Sequence, residues 1–315
     1  MEIRAHRTIP GEPARSRHPW SGLARALAFT MLLASATAEE VKVSGGLIDL
    51  ELSGSPSAAW RSLAVKWVEN SARAVSTYYG EFPVPRATLR IASSAGTRSR
   101  GGKAFGWRGP LITISLGRDA TVAVLVDDWL LTHEMVHLAF PSLPDQHHWL
   151  EEGLATYVEP IARARAGIIT PERVWSDLVN GLPQGQPEAG DRGLDRTPTW
   201  GRTYWGGALF CLRADVGIRQ RTGNRFGLEH ALRAILAAGG SIEQDWTIEQ
   251  VIDVGDKSVG VPVLRELYEE MGSKPVTVDL ESLWRQLGIR RQGSTVTFDD
   301  SAALAGVRRA ITEGQ

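Results

Sequence analysis

His133-Glu134-Met135-Val136-His137 sets two imidazoles four residues apart with a carboxylate between them. On a helix, positions i and i+4 lie one turn apart on the same face, so both rings can reach one metal ion. Glu134 is rotated by about 100° from His133: too far to share its ligand position, close enough to hold a water on that ion and take its proton. The pattern H-E-x-x-H therefore points to zinc-assisted hydrolysis, provided it lies on a helix. The surrounding stretch, Leu125 to Phe140, is apolar apart from Asp127, Asp128, Thr132 and the motif. It shows no period-2 alternation, and its length predicts a helix buried in a core. Burying three polar groups unpaired on such a helix is costly, and a bound metal removes that cost in one step.

A catalytic zinc site needs a third protein ligand and an open fourth position. A third histidine in H-E-x-x-H-x-x-G-x-x-H would require glycine at 140 and histidine at 143, where this chain has Phe140 and Leu143. Further on, His148 to Glu159 is predicted to form a second helix after the loop Pro141 to Gln146. A carboxylate at its start would face back toward His133 and His137. Glu151 and Glu152 are neighbours there, and periodicity leaves both open.

The segment Trp149-Leu150-x-Glu152-Gly153-Leu154-Ala155-Thr156-Tyr157-Val158-Glu159 resembles the W-L-x-E-G-F-A-x-Y-x-E segment of gluzincin metallopeptidases. The most similar branch is that of the alanyl- and glycyl-aminopeptidase relatives. The resemblance implies that Glu152 is the third zinc ligand beside His133 and His137. Glu159, seven residues on and on the same face as Glu152, is either a hydrogen-bond partner of a ligand histidine or a solvated surface charge. Tyr204-x-x-Gly207, followed by an apolar helix and Ile218-Arg219-x-x-Thr222-Gly223, resembles the family segment whose tyrosine hydrogen-bonds the tetrahedral intermediate. That implies the role for Tyr204; the alternative is an aromatic packed at a helix start.

The implied fold is α+β and thermolysin-like, with a small N-terminal sheet lobe over about residues 39–120 and a helical lobe over about 121–315. The implied function is a zinc-dependent peptidase acting on peptides or proteins, with Glu134 as general base and Tyr204 stabilising the oxyanion. Two other classes stand beside it. One is a gluzincin-like protein that binds peptides with little or no catalysis; the intact Glu134 argues against it. The other is a zinc hydrolase of a non-peptide amide or ester.

The chain departs from the aminopeptidases at one point. They carry a glutamate in a G-x-M-E-N-type segment that holds the free amine of the substrate. Here Gly101-Gly102-Lys103-Ala104-Phe105-Gly106-Trp107 has no carboxylate, so a strict need for a free substrate N-terminus is not expected.

The elements that must position these residues follow from local patterns. Val41 to Val43 and the alternating Leu47 to Leu52 predict strands, as does Ala87 to Ala92. Pro56 to Tyr79 predicts a long helix capped by Ser57, with Trp60, Leu63, Ala64, Trp67, Val68 and Ala72 on its apolar face. Thr97 to Gly109, rich in Gly, Arg and Ser, is expected to be a mobile loop or hairpin tip. Leu111 to Leu116 is expected to be the edge strand, where the resemblance places the substrate backbone. After the zinc helices come a short helix opened by Thr170-Pro171, a Gly/Pro-rich surface loop over Gly181 to Arg202, and a helix from Thr203 to about Arg221. Amphipathic helices are expected over Phe226–Leu236, Thr247–Val254, Val263–Met271 and Leu280–Leu287, with a late strand over Ser294–Phe298.

Residues 1–38 have the form of a signal peptide. Several arginines precede the apolar run Ala26 to Ala34, and Ala36-Thr37-Ala38 offers small residues for cleavage. An exported protein, periplasmic or extracellular, with no stable membrane span after cleavage is the expectation, since the run is far short of the roughly 20 residues a span needs. Among 315 residues, 35 basic and 36 acidic side chains give a net charge of −1, which is not the electrostatic footprint of a nucleic-acid binder. Cys211 is the single cysteine, so no internal disulfide forms. The sequence sets no oligomeric state.

Overall fold

The computed structural model describes residues 38–54 and 57–314. The expected targeting segment lies outside them, save for Ala38. Two strands, β1 (Ala38–Val43) and β2 (Gly46–Ser53), form a hairpin and lead into the helix α1 (Ala58–Tyr79). Ser57 caps α1 by accepting a hydrogen bond from the Trp60 amide at 3.2 Å. Gly80, at φ 97°, ends it in a conformation that other residues rarely adopt. The chain then forms β3 (Arg86–Ser94), β4 (Ser99–Phe105) and β5 (Leu111–Gly117).

These five strands make one mixed sheet in the order β1-β2-β3-β5-β4. β2, β3 and β5 are mutually parallel, and β1 and β4 run antiparallel on the two flanks. Ile48, Leu50, Leu52, Leu89, Ile91, Ile112, Ile114 and Leu116 alternate onto the buried face, as half-buried strands require. Two expectations change here. Ser99–Phe105 is a strand rather than a loop, because its partner β5 supplies the hydrogen bonds that its glycine-rich sequence gives no local reason to form. β4 also takes the edge, so Leu111–Leu116 is an interior strand and is not free to pair with a substrate backbone.

The rest of the chain is mostly helical. α2 (Val122–Asp127) and α3 (Leu130–His137) replace the single helix expected around the motif. The break is at Asp128, whose backbone is extended (ψ 123°) and whose carboxylate accepts a hydrogen bond from the Leu130 amide at 3.2 Å. α4 (His148–Arg165) follows a short 3₁₀ turn, and α5 (Pro171–Gly181) is capped by Thr170 with Pro171 at its first position. A π-helical segment, Gly201–Gly206, runs directly into α6 (Gly207–Arg221), so the helix expected from Thr203 begins in a wider register. α7 (Leu228–Ala237), α8 (Ile248–Val259), α9 (Val263–Met271) and α10 (Leu280–Leu287) match the amphipathic pattern. β6 (Ile289–Gln292) pairs with β7 (Thr295–Phe298), and α11 (Ala305–Glu313) completes the chain.

Residues 181–202 are more than a surface loop. They contain 3₁₀ turns at Leu182–Gly185 and Leu194–Arg196, and Leu182 and Leu194 are buried. α1 packs against α3 and α4, and α3 packs against β4 and β5, so the motif helix lies between the sheet and the helical body. None of the helices among the described residues is long and apolar enough to cross a membrane.

Candidate active site

α3 has only eight residues, too short to hold itself in water, and its position comes from tertiary ties. Asp128 accepts from the Leu130 amide at its start and from the Ser99 hydroxyl of β4, so one carboxylate joins the edge strand to the motif helix. Burial raises the Asp128 pKa against these hydrogen bonds. Arg163 of α4 donates to the Val126 carbonyl just upstream. Held this way, α3 buries His133 and Glu134 and leaves His137 half-buried.

α4 is held at its start by Asp195. That carboxylate accepts from Trp149 Nε1 at 2.8 Å, lies 3.0 Å from His147 Nδ1, and accepts from the Tyr268 hydroxyl at 2.9 Å. The consequence one turn later is the direction of Glu152. Its Oε2 lies 3.1 Å from His133 Nε2 and 3.7 Å from His137 Nε2. One ligand atom from each of the three residues lies within 4.8 Å of the others. Glu151, the neighbour that periodicity left open, turns away and accepts the Leu143 amide at 2.6 Å. His147 is committed to Asp195, and His148 Nε2 sits 3.4 Å from the other oxygen of Glu152.

Two imidazole nitrogens and a carboxylate oxygen converging on one point form a donor set that suits Zn²⁺. The charges of His133 and Glu152 agree with it, whereas His137 is drawn toward its protonated form and binds a metal by giving up that proton. Burial lowers the His133 pKa, favouring the neutral ring that a metal needs. Burial also opposes charge on His137, but the Glu152 carboxylate outweighs it and raises that pKa. Glu152 is itself buried against its charge, yet the two imidazoles hold its carboxyl well below the usual carboxylate range.

Glu134 stands beside this group without belonging to it. Burial pushes its carboxyl up to about 7, opposed by His137 and by a hydrogen bond from the Ala104 amide of β4. The strand comes so close that a Cβ on Gly102 would lie 2.5 Å from Glu134 Oε1. Gly101-Gly102 is thus what lets the edge strand run over the carboxylate. The β4–β5 pairing shifts register between Arg100 and Lys103, at this same point.

Tyr204 reaches the site from the π segment. Its ring stacks on His133 with centroids 6.3 Å apart and planes 24° from parallel. Burial, the nearby carboxylates of Glu152 and Glu134, and a hydrogen bond to Glu152 raise its pKa to about 12, so the hydroxyl keeps its proton. The two helices that carry Glu152 and Tyr204 cross where Gly153 meets Gly207. A Cβ on Gly153 would lie 2.2 Å from the Gly207 Cα, which only glycine at both positions allows.

Glu159 does neither of the things its position suggested. It is buried and pairs with Arg163 at 2.6 Å, rather than with a ligand histidine or with water. Asp128, Asp195 and Gly102 contribute to the site without a local signal that marks them as site residues; only the doubled glycine at 101–102 hinted at a close approach.

No protein-family model matches the sequence, and no curated protein matches it. Solved structures do match in fold. An aminopeptidase N family protein from Idiomarina loihiensis superposes with a TM-score of 0.59 at 17% identity, over 81% of this chain and 50% of that one. An M1 zinc metallopeptidase variant from Deinococcus radiodurans gives a TM-score of 0.52 at 14% identity, over 77% and 52%. A two-domain M1 zinc metallopeptidase variant bound to L-arginine gives 0.52 at 13%, over 77% and 52%. The chain spans about half the length of these structures. Its five-stranded N-terminal sheet and mostly helical remainder share the fold of part of the M1 aminopeptidase N family zinc metallopeptidases.

Proposed function

We propose that the protein is a zinc-dependent peptidase. The observation that carries the reading is the position of Glu134, a buried carboxylate beside the His133/His137/Glu152 group but outside its ligand set. A purely structural zinc site closes its fourth position with a protein ligand; a catalytic one leaves it open next to a base. His133, His137 and Glu152 would hold the metal, which supplies Lewis-acid activation of water and of the scissile carbonyl when bound.

Glu134 takes the proton of the attacking water and returns it to the leaving amine. Burial favours the protonated form of this carboxyl, which lets it hold the proton between the two halves of that exchange. The Ala104 amide restrains the carboxylate while it does so. Tyr204, protonated and stacked on His133, donates its hydroxyl to the oxyanion that develops on the substrate. The β4 edge is the free strand beside Glu134 and offers its backbone to an extended peptide, in the place first expected of β5. The fold likeness to M1 zinc metallopeptidases supports a peptide substrate and a zinc ion over a non-peptide ester.

The test is hydrolysis of an internally quenched peptide library. Purified protein should cleave it, lose activity to a chelator and regain it with Zn²⁺, while Glu134→Gln should bind zinc normally and lose roughly 10²–10⁴-fold in turnover. Full turnover by Glu134→Gln, or activity indifferent to chelation, refutes the reading.

A further inference from the structure

We propose that the cavity beside His133 is a specificity pocket for a large aromatic side chain of the substrate, an inference that rests on the peptidase reading. The cavity measures about 530 Å³ and has His133 and Tyr204 in its wall, so whatever fills it lies against the reacting centre. Trp129, Trp200, Trp205, Leu178 and Pro160 are the other apolar residues of its wall.

Two of these tryptophans are exposed, and both are exposed at the same place. Trp129 is 51% and Trp200 61% accessible, and both border this one cavity. Each is also fixed in place: Trp129 meets His133 edge-on at 5.4 Å, and Trp200 stacks on Tyr204 at 6.0 Å. Held apolar rings facing an opening next to a reactive site are what a recognition pocket presents.

The charges around the cavity decide which side chain it takes. Arg163 is paired with Glu159 at 2.6 Å, and Arg173 with Asp177 at 2.9 Å and Asp127 at 3.2 Å. Two arginines thus serve three carboxylates, with Arg173 shared between Asp177 and Asp127, so each charge in the wall is engaged by a neighbour and none is presented unpaired to an acidic or a basic side chain. What remains is aromatic surface. An aromatic side chain buries about 150–250 Å² and gains edge and offset contacts with each ring it meets. An alanine would leave Trp129 and Trp200 uncovered.

The experiment measures kcat/KM for internally quenched peptides that differ in one residue next to the cleaved bond. Phe, Tyr or Trp there should exceed Ala by at least about 10-fold, the low end of what a filled apolar pocket contributes. Trp129→Ala and Trp200→Ala should each bring that ratio toward one. A separate measurement follows binding of N-acetyl-phenylalanine amide and N-acetyl-alanine amide to zinc-loaded Glu134→Gln by ligand-observed NMR. Only the aromatic amide should bind, and Trp200→Ala in that background should abolish it. A ratio near one, a preference for Lys, Arg or Glu, or a ratio that neither tryptophan variant moves overturns the pocket while leaving the peptidase standing. Absence of cleavage on every peptide, with binding that still depends on Trp200, refutes the peptidase and keeps the aromatic pocket; absence of both refutes both.

Discussion

α3 and α4 bring side chains to the site, whereas β4, facing them, brings backbone. On the helical wall the working groups are imidazoles and carboxylates on short or tertiary-braced helices, each aimed by a partner: Asp128 for α3, Asp195 for the start of α4. On the strand wall, the Ala104 amide holds Glu134, and Gly102 contributes by having no side chain. One wall is written in residue types that carry chemistry and the other in the absence of bulk. Substitutions on the two walls should therefore separate metal binding from turnover.

The largest effect belongs to the helical wall. Glu152→Ala should lower Zn²⁺ affinity by more than about 100-fold, beyond what loss of an outer-shell partner costs. Glu151→Ala should leave affinity nearly unchanged. Competition against a chromophoric chelator measures both, and equal losses would erase the distinction between these neighbours. Tyr204→Phe should keep the metal and lose roughly 10²–10³-fold in kcat, the worth of one oxyanion donor. An unaltered kcat would leave Tyr204 as a packing ring on His133.

The strand wall gives the sharper test. Gly102→Val should displace the Glu134 carboxylate and cost about 10²-fold in kcat, as misplacement by an ångström does, with zinc affinity unchanged. If zinc affinity falls with kcat, the two walls are not separable. Gly153→Ala should act on neither property first. It overpacks the α4–α6 crossing and should cost roughly 1–3 kcal/mol of stability, read from denaturant unfolding of the metal-free protein. The smallest effect is expected on the substrate side. N-acetylation of a cleaved peptide should leave kcat/KM essentially unchanged, since β4 carries no carboxylate to hold a free amine. Loss of cleavage on acetylation would place an amine-binding acid elsewhere in the cleft.

The same contrast explains what the sequence disclosed. His133, Glu134 and His137 were legible because ligand spacing on a helix is a local property. Resemblance was needed to choose Glu152 over Glu151, because what separates them is the Leu143 amide, which a folded loop brings to Glu151. The helix α1 and its Ser57 cap followed from periodicity and a capping rule, as did α9 and α10 to the residue. β4 was missed because its glycines have low strand preference and only pairing with β5 makes it a strand. The break at Asp128 was hidden inside an apolar run, where composition favoured one continuous helix. Asp195 lies in a Gly/Pro-rich stretch, and its three partners come from two distant parts of the chain. Glu159 sits at helical spacing from Glu152, but its geometry was decided by Arg163 one turn later.

The π-helical turn before α6 sets the phase of the tyrosine separately from the phase of its helix. A π turn accommodates one more residue than an α turn of the same rise. α6 is locked in rotation by Gly207 against Gly153, so residues upstream can change facing only by a change in chain length between them and that lock. Removing one residue between Tyr204 and Gly207 would turn Tyr204 by about 100° away from His133 while the Gly153–Gly207 contact of α4 with α6 stayed in place. Composition and hydropathy would be nearly conserved by such a deletion. The direction of this hydroxyl is therefore encoded as a count of residues, a kind of information that no single substitution can reveal.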